Sequence, residues 1–420
     1  MPNAFFIIIL AAVLLDFGFD LVANILNLKA LKLEPPAELE GVYKPEEYRR
    51  SQEYTRVSTR FDFLSSTFSL VVLLTFWLSG GFNFLDRIVR SWGFIPLVNG
   101  LLYVGIIAAA YGLLGLPFGI YETFGIEARF GFNRTTPRTF IMDLIKGTIL
   151  GVLLGAPLLA AVLLLFQDAG AYAWLYIWAA ATLFSLAVSY VAPTWIMPLF
   201  NKFTPMEPGE LRDAILNYAK SVNFPVKNVF VMDGSKRSTR GNAFFTGFGR
   251  NKRIALFDTL IARHTTGEMV GVLAHEIGHH KKKHIVQGMI IGILHSGLVL
   301  FLASIFIRSQ GLYDAFSMQQ TSIYAGLIFF GLLYTPLEFV IGIFSQMMSR
   351  HDEREADRFA AETTGRPQDM INALKKLSAD NLSNLSPHPV FVFLNYSHPP
   401  LLERVQNLER VANRKQGPTS

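Results

Sequence analysis

The chain has 420 residues, of which 51% are apolar and only 17% are charged, and its mean hydropathy of +0.33 favours a membrane protein over a set of soluble domains. The net charge is +6, but no basic block with interleaved aromatic residues occurs, so we expect no nucleic-acid partner. The absence of cysteine excludes disulfides, thiolate metal sites and cysteine nucleophiles.

Seven apolar windows are long enough to cross a hydrocarbon layer of about 30 Å as helices. They cover residues 4–26, 62–78, 94–118, 141–166, 173–197, 285–307 and 322–347. We therefore predict an integral membrane protein that crosses the bilayer seven times.

The loops between these windows differ in basic residues, which predicts their orientation. Lys and Arg resist transfer across a membrane, so the loops that are rich in them stay in the cytoplasm. The first loop is rich in them and the third holds three, whereas the loops on the other side offer only Arg87, Arg90 and Arg308. We expect the N-terminus outside and the segments 201–284 and 349–420 in the cytoplasm. The short, cysteine-free chain favours a bacterial inner membrane over the endoplasmic reticulum.

The first long polar segment has the pattern of a small α+β unit. Residues 208–222 predict an amphipathic helix, and residues 228–232, 243–248 and 253–258 predict three short strands. The turn-like residues 249–252 join the last two strands into a predicted hairpin. Thr265 and Glu268 then have the spacing of a capping box, so a helix is expected to begin there.

That helix carries the sequence HEIGH, which is the strongest chemical signal in the chain. His275 and His279 are one helical turn apart, so both imidazoles lie on one face and can bind one zinc ion. A zinc ion with three protein ligands activates a water molecule, and a nearby carboxylate can take the proton as that water attacks a carbonyl. We assign Glu276 as that general base. The alternative is a chance string on a solvated helix.

The second polar segment supplies the expected third ligand. Glu353 and Asp357 are four residues apart and share a helical face, whereas Glu355 is rotated away from Glu353 by roughly 200°. We predict that Glu353 binds zinc and that Asp357 accepts a hydrogen bond from a ligand histidine. The alternative is a charged surface helix.

Three further histidines near these helices are interpreted as structural. His280, His284 and His295 are expected to project away from the face of His275 and His279.

Several sequence stretches together resemble the type I CaaX prenyl endopeptidases, integral-membrane zinc metalloproteases also called the a-factor-converting enzyme family. They are GFNRTT, PLFNKFTP, NAFFTGF, HEIGHH, the pattern SRxxEREAD and NYSHPPLLER, and they span nearly the whole chain. The resemblance implies one zinc ion per chain at His275, His279 and Glu353, with Glu276 as general acid/base and Asp357 in support.

The resemblance also implies a substrate track and transition-state groups. Asn242 and the strand that follows it, with Ala243, Phe244 and Phe245, would lie beside an extended peptide. His398 matches a position beside the metal, where its donor could stabilise an oxyanion, and Arg404 matches a neighbouring basic position. Alternatively, His398 is a turn residue and Arg404 is a solvated helix charge.

The implied fold is a mainly α membrane protein in which about seven transmembrane helices form a chamber beside a small, zincin-like α+β metalloprotease domain. Residues 1–200 and 285–348 would form the helices, and residues 201–284 and 349–420 the protease domain. Asp16, Asp20 and Glu338 fit such a chamber, the alternative being a buried hydrogen-bonded cluster.

The expected function is hydrolysis of CaaX-type, prenylated C-termini or related peptides by a monomer in the bilayer. A quality-control protease for membrane proteins is the nearest alternative, and a non-catalytic transporter or scaffold is another.

Overall fold

The computed structural model describes residues 3–32, 34–224, 226, 228–246 and 253–415. Seven helices within these ranges are long and apolar enough to cross a membrane, which confirms the predicted number. They are built on α1 (Ala4–Lys29), α2 (Pro45–Leu78), α4 (Pro96–Tyr121), α5 (Pro137–Asp168), α6 (Ala173–Val191), α11 (His284–Phe306) and α13 (Ile323–Thr364). Wider π-helical turns continue α4 through Glu122–Glu127 and α6 through Ala192–Ile196.

The remaining helices are shorter. Those near the membrane helices are α3 (Gly81–Ser91), α7 (Met197–Phe200) and α12 (Gln310–Asp314). Those of the polar segments, which we call the extramembrane part, are α8 (Glu210–Ser221), α9 (Asp258–Ile261), α10 (Thr266–Lys281), α14 (Pro367–Asp380), α15 (Pro389–Asn395) and α16 (Leu401–Lys415). The strands are β1 (Phe203–Pro205), β2 (Asn228–Met232), β3 (Ala243–Thr246) and β4 (Arg253–Phe257).

Most residues of the membrane helices are not buried within the protein, as expected for helices with lipid-facing surfaces. In the most apolar part of each, only between 6% and 17% of the residues are buried within the protein. The packed core of this part lies at one end, where α3 and α12 close the helices and Phe316 stacks on Phe329 with ring centroids 3.8 Å apart. The sequence prediction missed α3 and α12, because they are too short to stand out as apolar windows.

Two helices extend well beyond their apolar windows. α2 begins at Pro45, in the polar loop before the predicted start at 62, and α13 continues from the membrane to Thr364. Hydropathy therefore located the lipid-crossing part but not the helix ends. α13 ends where Gly365 adopts a left-handed φ of +65°, a conformation that glycine adopts at little cost. Glu353 therefore lies on the same continuous helix that crosses the membrane.

The sheet of the extramembrane part has the strand order β1-β2-β4-β3. β4 pairs in parallel with β2 and antiparallel with β3, so the predicted pairing of the last two strands is confirmed, and β3 lies at the edge. β1 was not predicted; it pairs antiparallel with β2. The predicted strand end at 247–248 and the turn at 249–252 lie outside the described residues.

Ion pairs join the extramembrane part to the membrane helices. The Arg237 guanidinium donates to both carboxylate oxygens of Asp143 on α5, at 2.7 and 2.8 Å. Arg240 contacts Glu127, at the end of the turn that follows α4, at 3.0 Å. Bidentate arginine pairs restrict orientation as well as distance. These contacts therefore set how the sheet, and the site beside it, sits over the membrane part.

The predicted capping box at the start of α10 is present, and its buried glutamate also pairs with a half-exposed lysine. The Thr265 hydroxyl accepts from the Glu268 N–H, and the Glu268 carboxylate accepts from the Thr265 N–H at 2.9 Å. Lys376 on α14 places its Nζ 2.7 Å from the same carboxylate, which is nearly inaccessible to solvent. Burial would raise the pKa of Glu268, but Lys376 and the Thr265 N–H outweigh it and lower the pKa.

We expect Lys376→Met to destabilise the protein by about 1 kcal/mol, because the buried Glu268 carboxylate loses its half-exposed ion-pair partner but keeps the Thr265 N–H. A lowered pKa contributes stability above the unfolded-state value of about 4.3, and that stability is lost as the pH falls through the folded-state pKa. The melting temperature in detergent should therefore fall at pH 7, and the difference from wild type should shrink towards pH 3. Lys375→Met is the matched control, and an equal loss there would contradict the assignment.

Candidate active site

The two polar segments meet because α10 and α13 approach very closely. A Cβ built on Gly278 would lie 3.1 Å from the Ala356 Cα and 3.2 Å from its carbonyl oxygen. Ala356 is fully buried at this crossing. A side chain at 278 would force the two helices apart by a few tenths of an ångström, so glycine allows the closer approach seen here. The crossing brings the HEIGH helix against the helix that carries Glu353.

At this crossing the side chains of His275, His279 and Glu353 converge. The His275 and His279 Nε2 atoms are 3.1 Å apart. His275 Nε2 lies 3.4 Å from Glu353 Oε2, and His279 Nε2 lies 3.2 Å from Glu353 Oε1. Tetrahedral zinc bonds of about 2.0–2.1 Å place ligand atoms about 3.3–3.4 Å apart. The three predicted ligands are therefore already spaced for one zinc ion.

The electrostatics of these atoms also fit a cation. Glu353 Oε2 is buried without a hydrogen-bond partner. Burial would lower the pKa of His275, but its close contacts with the Asp357 and Glu353 carboxylates outweigh this and raise the pKa to about 9. The pocket thus favours positive charge at this point, and two imidazoles with a carboxylate are a donor set that zinc prefers.

Behind His275 lies a charged pair that fixes its ring. His275 Nδ1 is 2.9 Å from Asp357 Oδ1. Arg404 on α16 donates to both oxygens of Asp357, at 2.8 and 2.7 Å, and its Nη1 is 3.4 Å from Glu353 Oε2. Burial would lower the pKa of Arg404, but these carboxylates outweigh it and raise the pKa, so the guanidinium stays charged. Arg404 thus holds the Asp357 carboxylate and also contacts the predicted ligand Glu353.

Glu276 lies on the cavity beside the three ligand side chains. This cavity has a volume of about 710 Å³ and is also lined by Asn242, Ala243 and His398. Burial raises the pKa of Glu276 above its usual value, with the His275 and His279 rings acting in the opposite direction. A carboxylate with a raised pKa is a better proton acceptor near neutral pH.

His398 stands at the mouth of this site. Its Nε2 is 3.3 Å from Glu353 Oε1, and its side chain is 62% exposed. The Ser397 hydroxyl is 2.8 Å from His398 Nδ1. If that hydroxyl donates, the ring proton sits on Nε2, the nitrogen that faces the reacting space. The position suits a hydrogen-bond donor to a substrate oxygen.

The predicted substrate strand forms one wall of the cavity. Asn242 and Ala243 line it, and β3 pairs with β4 alone among the described strands. Phe244 instead packs its ring edge-on against Phe257 of β4. Phe245 lies on β3 as well, but its side chain is outside the described part of the chain. Val272, Met370 and Leu374 give the cavity an apolar wall.

The prediction that His284 projects away from the histidine pair is wrong. Its Nδ1 is 3.1 Å from His279 Nδ1, and its Nε2 is 3.1 Å from Glu355 Oε2. Helical spacing counted from His279 places residue 284 on a different face, whereas Lys283 has a left-handed φ of +64° and separates α10 from α11. His280 packs on Phe224, and His295 contacts Tyr334, so neither approaches the site.

Asp16, Asp20 and Glu338, which lie within the membrane windows, each line a cavity or contact another side chain. Asp16 and Asp20 line a cavity of about 290 Å³ between α1 and α13, and Asn395 lines both this cavity and the one at the active site. Glu338 Oε2 is 3.2 Å from His295 Nε2. These groups thus have a cavity or a partner, as charges at this depth require.

Known proteins match this chain over both its membrane helices and its metal-binding segments. Residues 24–202 match the model of the CAAX prenyl protease N-terminal region with five membrane helices, and residues 205–412 match peptidase family M48. The chain is 35% identical to CAAX prenyl protease 1 homolog of Arabidopsis thaliana, over 93% of this chain and 94% of that one. It is 33% identical to CAAX prenyl protease 1 of Saccharomyces cerevisiae, over 90% and 89%.

A solved structure agrees with these sequence matches. The crystal structure of S. mikatae Ste24p superposes with a TM-score of 0.92 at 32% identity and covers 97% of this chain and 100% of that chain. Both sequence and fold thus match over nearly the whole length, including the helices that carry the HEIGH motif and Glu353. The protein is therefore a membrane metallopeptidase that belongs to the CAAX prenyl protease family of M48 peptidases.

Proposed function

We propose that this chain is a zinc endopeptidase that cleaves peptide bonds of CaaX-type, prenylated C-termini. The observation that carries the proposal is the spacing of the His275, His279 and Glu353 ligand atoms beside Glu276, in a cavity bordered by an edge strand. We assign one zinc ion per chain and a monomer as the active form; one chain supplies all of these groups, which is compatible with that assignment.

When bound, zinc supplies a water of lowered pKa and polarises the scissile carbonyl. The edge of β3 aligns an extended peptide by backbone hydrogen bonds over the site. Glu276 takes the proton of the attacking water and delivers it to the departing amine. His398 Nε2–H donates to the oxyanion that forms on the substrate carbonyl. Asp357 and Arg404 hold the His275 ring in the tautomer that leaves its Nε2 free for the metal.

The division of the chain follows from this site. We assign residues 201–284 and 349–420 to one metalloprotease domain and residues 1–200 and 285–348 to the membrane helices.

The basic loops support a cytoplasmic protease domain and an external N-terminus. The eukaryotic relatives conflict with the bacterial inner membrane that the sequence favoured, and they support the endoplasmic reticulum instead.

The substrate proposal rests on the apolar wall of the cavity, which suits the two aliphatic residues that follow the prenylated cysteine of a CaaX sequence. We expect a farnesylated CaaX peptide to be cleaved at least tenfold faster, in kcat/KM, than its unprenylated twin. Mass spectrometry of the products, with Glu276→Ala as the inactive control, measures this. Equal cleavage of both peptides would favour a quality-control protease, and cleavage by Glu276→Ala would contradict the mechanism.

Arg404→Lys is expected to weaken zinc binding about tenfold. Lysine keeps the charge but cannot donate to both oxygens of Asp357, so the carboxylate that orients His275 is held less firmly. Competition with a zinc chelator measures the dissociation constant. Arg354→Lys, on α13, is the matched control, because Arg354 pairs with Glu403 at 2.7 Å in a half-exposed contact. An equal loss in both variants would contradict this role of Arg404.

A further inference from the structure

His284 reaches the site because the chain breaks just before it. In one continuous helix, a residue five positions after His279 would be rotated from it by about 140°. Instead α10 ends at Lys281, Lys283 takes a left-handed conformation, and α11 begins at His284. The change of direction returns the His284 ring to His279, with ring centroids 5.1 Å apart.

Both nitrogens of His284 have partners. Nδ1 is 3.1 Å from His279 Nδ1, and Nε2 is 3.1 Å from Glu355 Oε2 and 3.6 Å from Asp352 Oδ1. The side chain is 4% exposed, so water cannot replace these partners freely. Two imidazole nitrogens at 3.1 Å need a proton between them, because two lone pairs would repel.

The position of that proton follows from the role of His279. This step rests on the proposed function, in which His279 Nε2 gives its lone pair to zinc. A neutral imidazole then carries its proton on Nδ1, so His279 Nδ1–H donates to the bare Nδ1 of His284. His284 in turn carries its proton on Nε2 and donates it to Glu355. Each ring thus fixes the tautomer of the next.

We propose that His284 is a positioning residue that holds His279 in its metal-binding tautomer and orientation, through a hydrogen-bonded chain that ends on the Glu355 carboxylate. It does for His279 what Asp357 does for His275, but with a neutral acceptor in place of a carboxylate. The two histidine ligands are therefore supported differently. Asp357 is buried and paired with Arg404, whereas the Glu355 side chain is partly exposed to solvent.

Residues that orient a metal ligand in this way contribute roughly 10- to 100-fold to metal affinity. Two variants at position 284 test this role, because one keeps only the contact with His279 and the other keeps only the contact with Glu355. An Asn amide lies near the Nδ1 position, so His284→Asn keeps an acceptor for His279. A Gln amide lies near the Nε2 position, so His284→Gln keeps the contact with Glu355 only.

We expect His284→Gln and His284→Leu to raise the zinc dissociation constant 10- to 100-fold and His284→Asn to raise it less than fivefold. Chelator competition on the purified full chain in detergent measures this, and the visible absorption of the Co²⁺-substituted protein reports ligand geometry and should change in His284→Gln. Melting of the metal-free proteins excludes a general loss of fold. His295→Leu, on the same helix, is the control and should keep the wild-type constant.

Several results would overturn the proposal. Equal constants for His284→Asn and His284→Gln would make His284 a packing residue only, and unchanged affinity in all three variants would remove it from the site. His284, Asp352 and Glu355 could themselves hold a cation. A second zinc ion per chain in wild type that is lost in His284→Leu, with the first bound as tightly as before, would show that role instead. If wild type binds no zinc, or His279→Ala retains it, the proposed function fails rather than this inference.

Discussion

Replacing Glu276 with Gln is expected to lower kcat about 10³-fold while one zinc ion per chain stays bound. The substitution keeps the size of the side chain and removes only its ability to take a proton. Glu276 borders the cavity beside the ligands, and burial raises the pKa of its carboxyl, which makes it a stronger proton acceptor than a solvated glutamate. Initial rates on a fluorogenic CaaX peptide, combined with metal analysis of the same samples, measure both effects.

The matched control for this variant is Glu409→Gln, which changes an exposed glutamate on α16 and should leave kcat within twofold of wild type. Metal analysis is needed because loss of zinc would also abolish activity. Retention of more than a tenth of the wild-type kcat in a fully metallated Glu276→Gln would assign the base to another group.

Glu353→Gln is expected to lose the metal itself. The carboxylate contacts both histidine Nε2 atoms, at 3.4 and 3.2 Å, and its buried Oε2 has no hydrogen-bond partner. An uncharged amide in this place cannot offset the charge of a divalent cation in a buried pocket. We expect the zinc content after dialysis to fall below roughly a tenth of the wild-type value, with activity falling in parallel.

Glu355→Gln provides the matched comparison, two residues away on the same helix. Its side chain contacts His284 and not the three-ligand cluster, and a Gln amide oxygen can still accept from His284 Nε2, so we expect close to one zinc ion per chain to remain under the same dialysis. Equal zinc loss in both variants would indicate that the charge of α13, not the ligand position of Glu353, governs binding. Zinc retained in Glu353→Gln would contradict the ligand assignment directly.

Local patterns were sufficient for much of the fold. The seven apolar windows predicted the number of membrane helices. A segment in lipid must be apolar and must satisfy its own backbone hydrogen bonds, so each long apolar run forms a spanning helix. The capping box at Thr265 and the pairing of β3 with β4 were also predicted, because each depends on residues close in sequence. Helix ends were predicted less well, as α2 and α13 show.

The sequence by itself determined the chemistry of the site. Helical periodicity placed His275 with His279 and Glu353 with Asp357, and the structure has both pairs on the faces predicted. It could not determine how the two helices meet, because that depends on the contact of Gly278 with Ala356, which are 78 residues apart.

Only the tertiary structure decided what lies around the ligands. Arg404 turned out to clamp Asp357, and His284 to face His279, where the helical pattern had placed it on the opposite side. The physical reason is that one left-handed residue, Lys283, redirects the chain, and periodicity cannot predict a break that tertiary packing stabilises. The ligands were therefore readable from the sequence, whereas the groups that orient them were not.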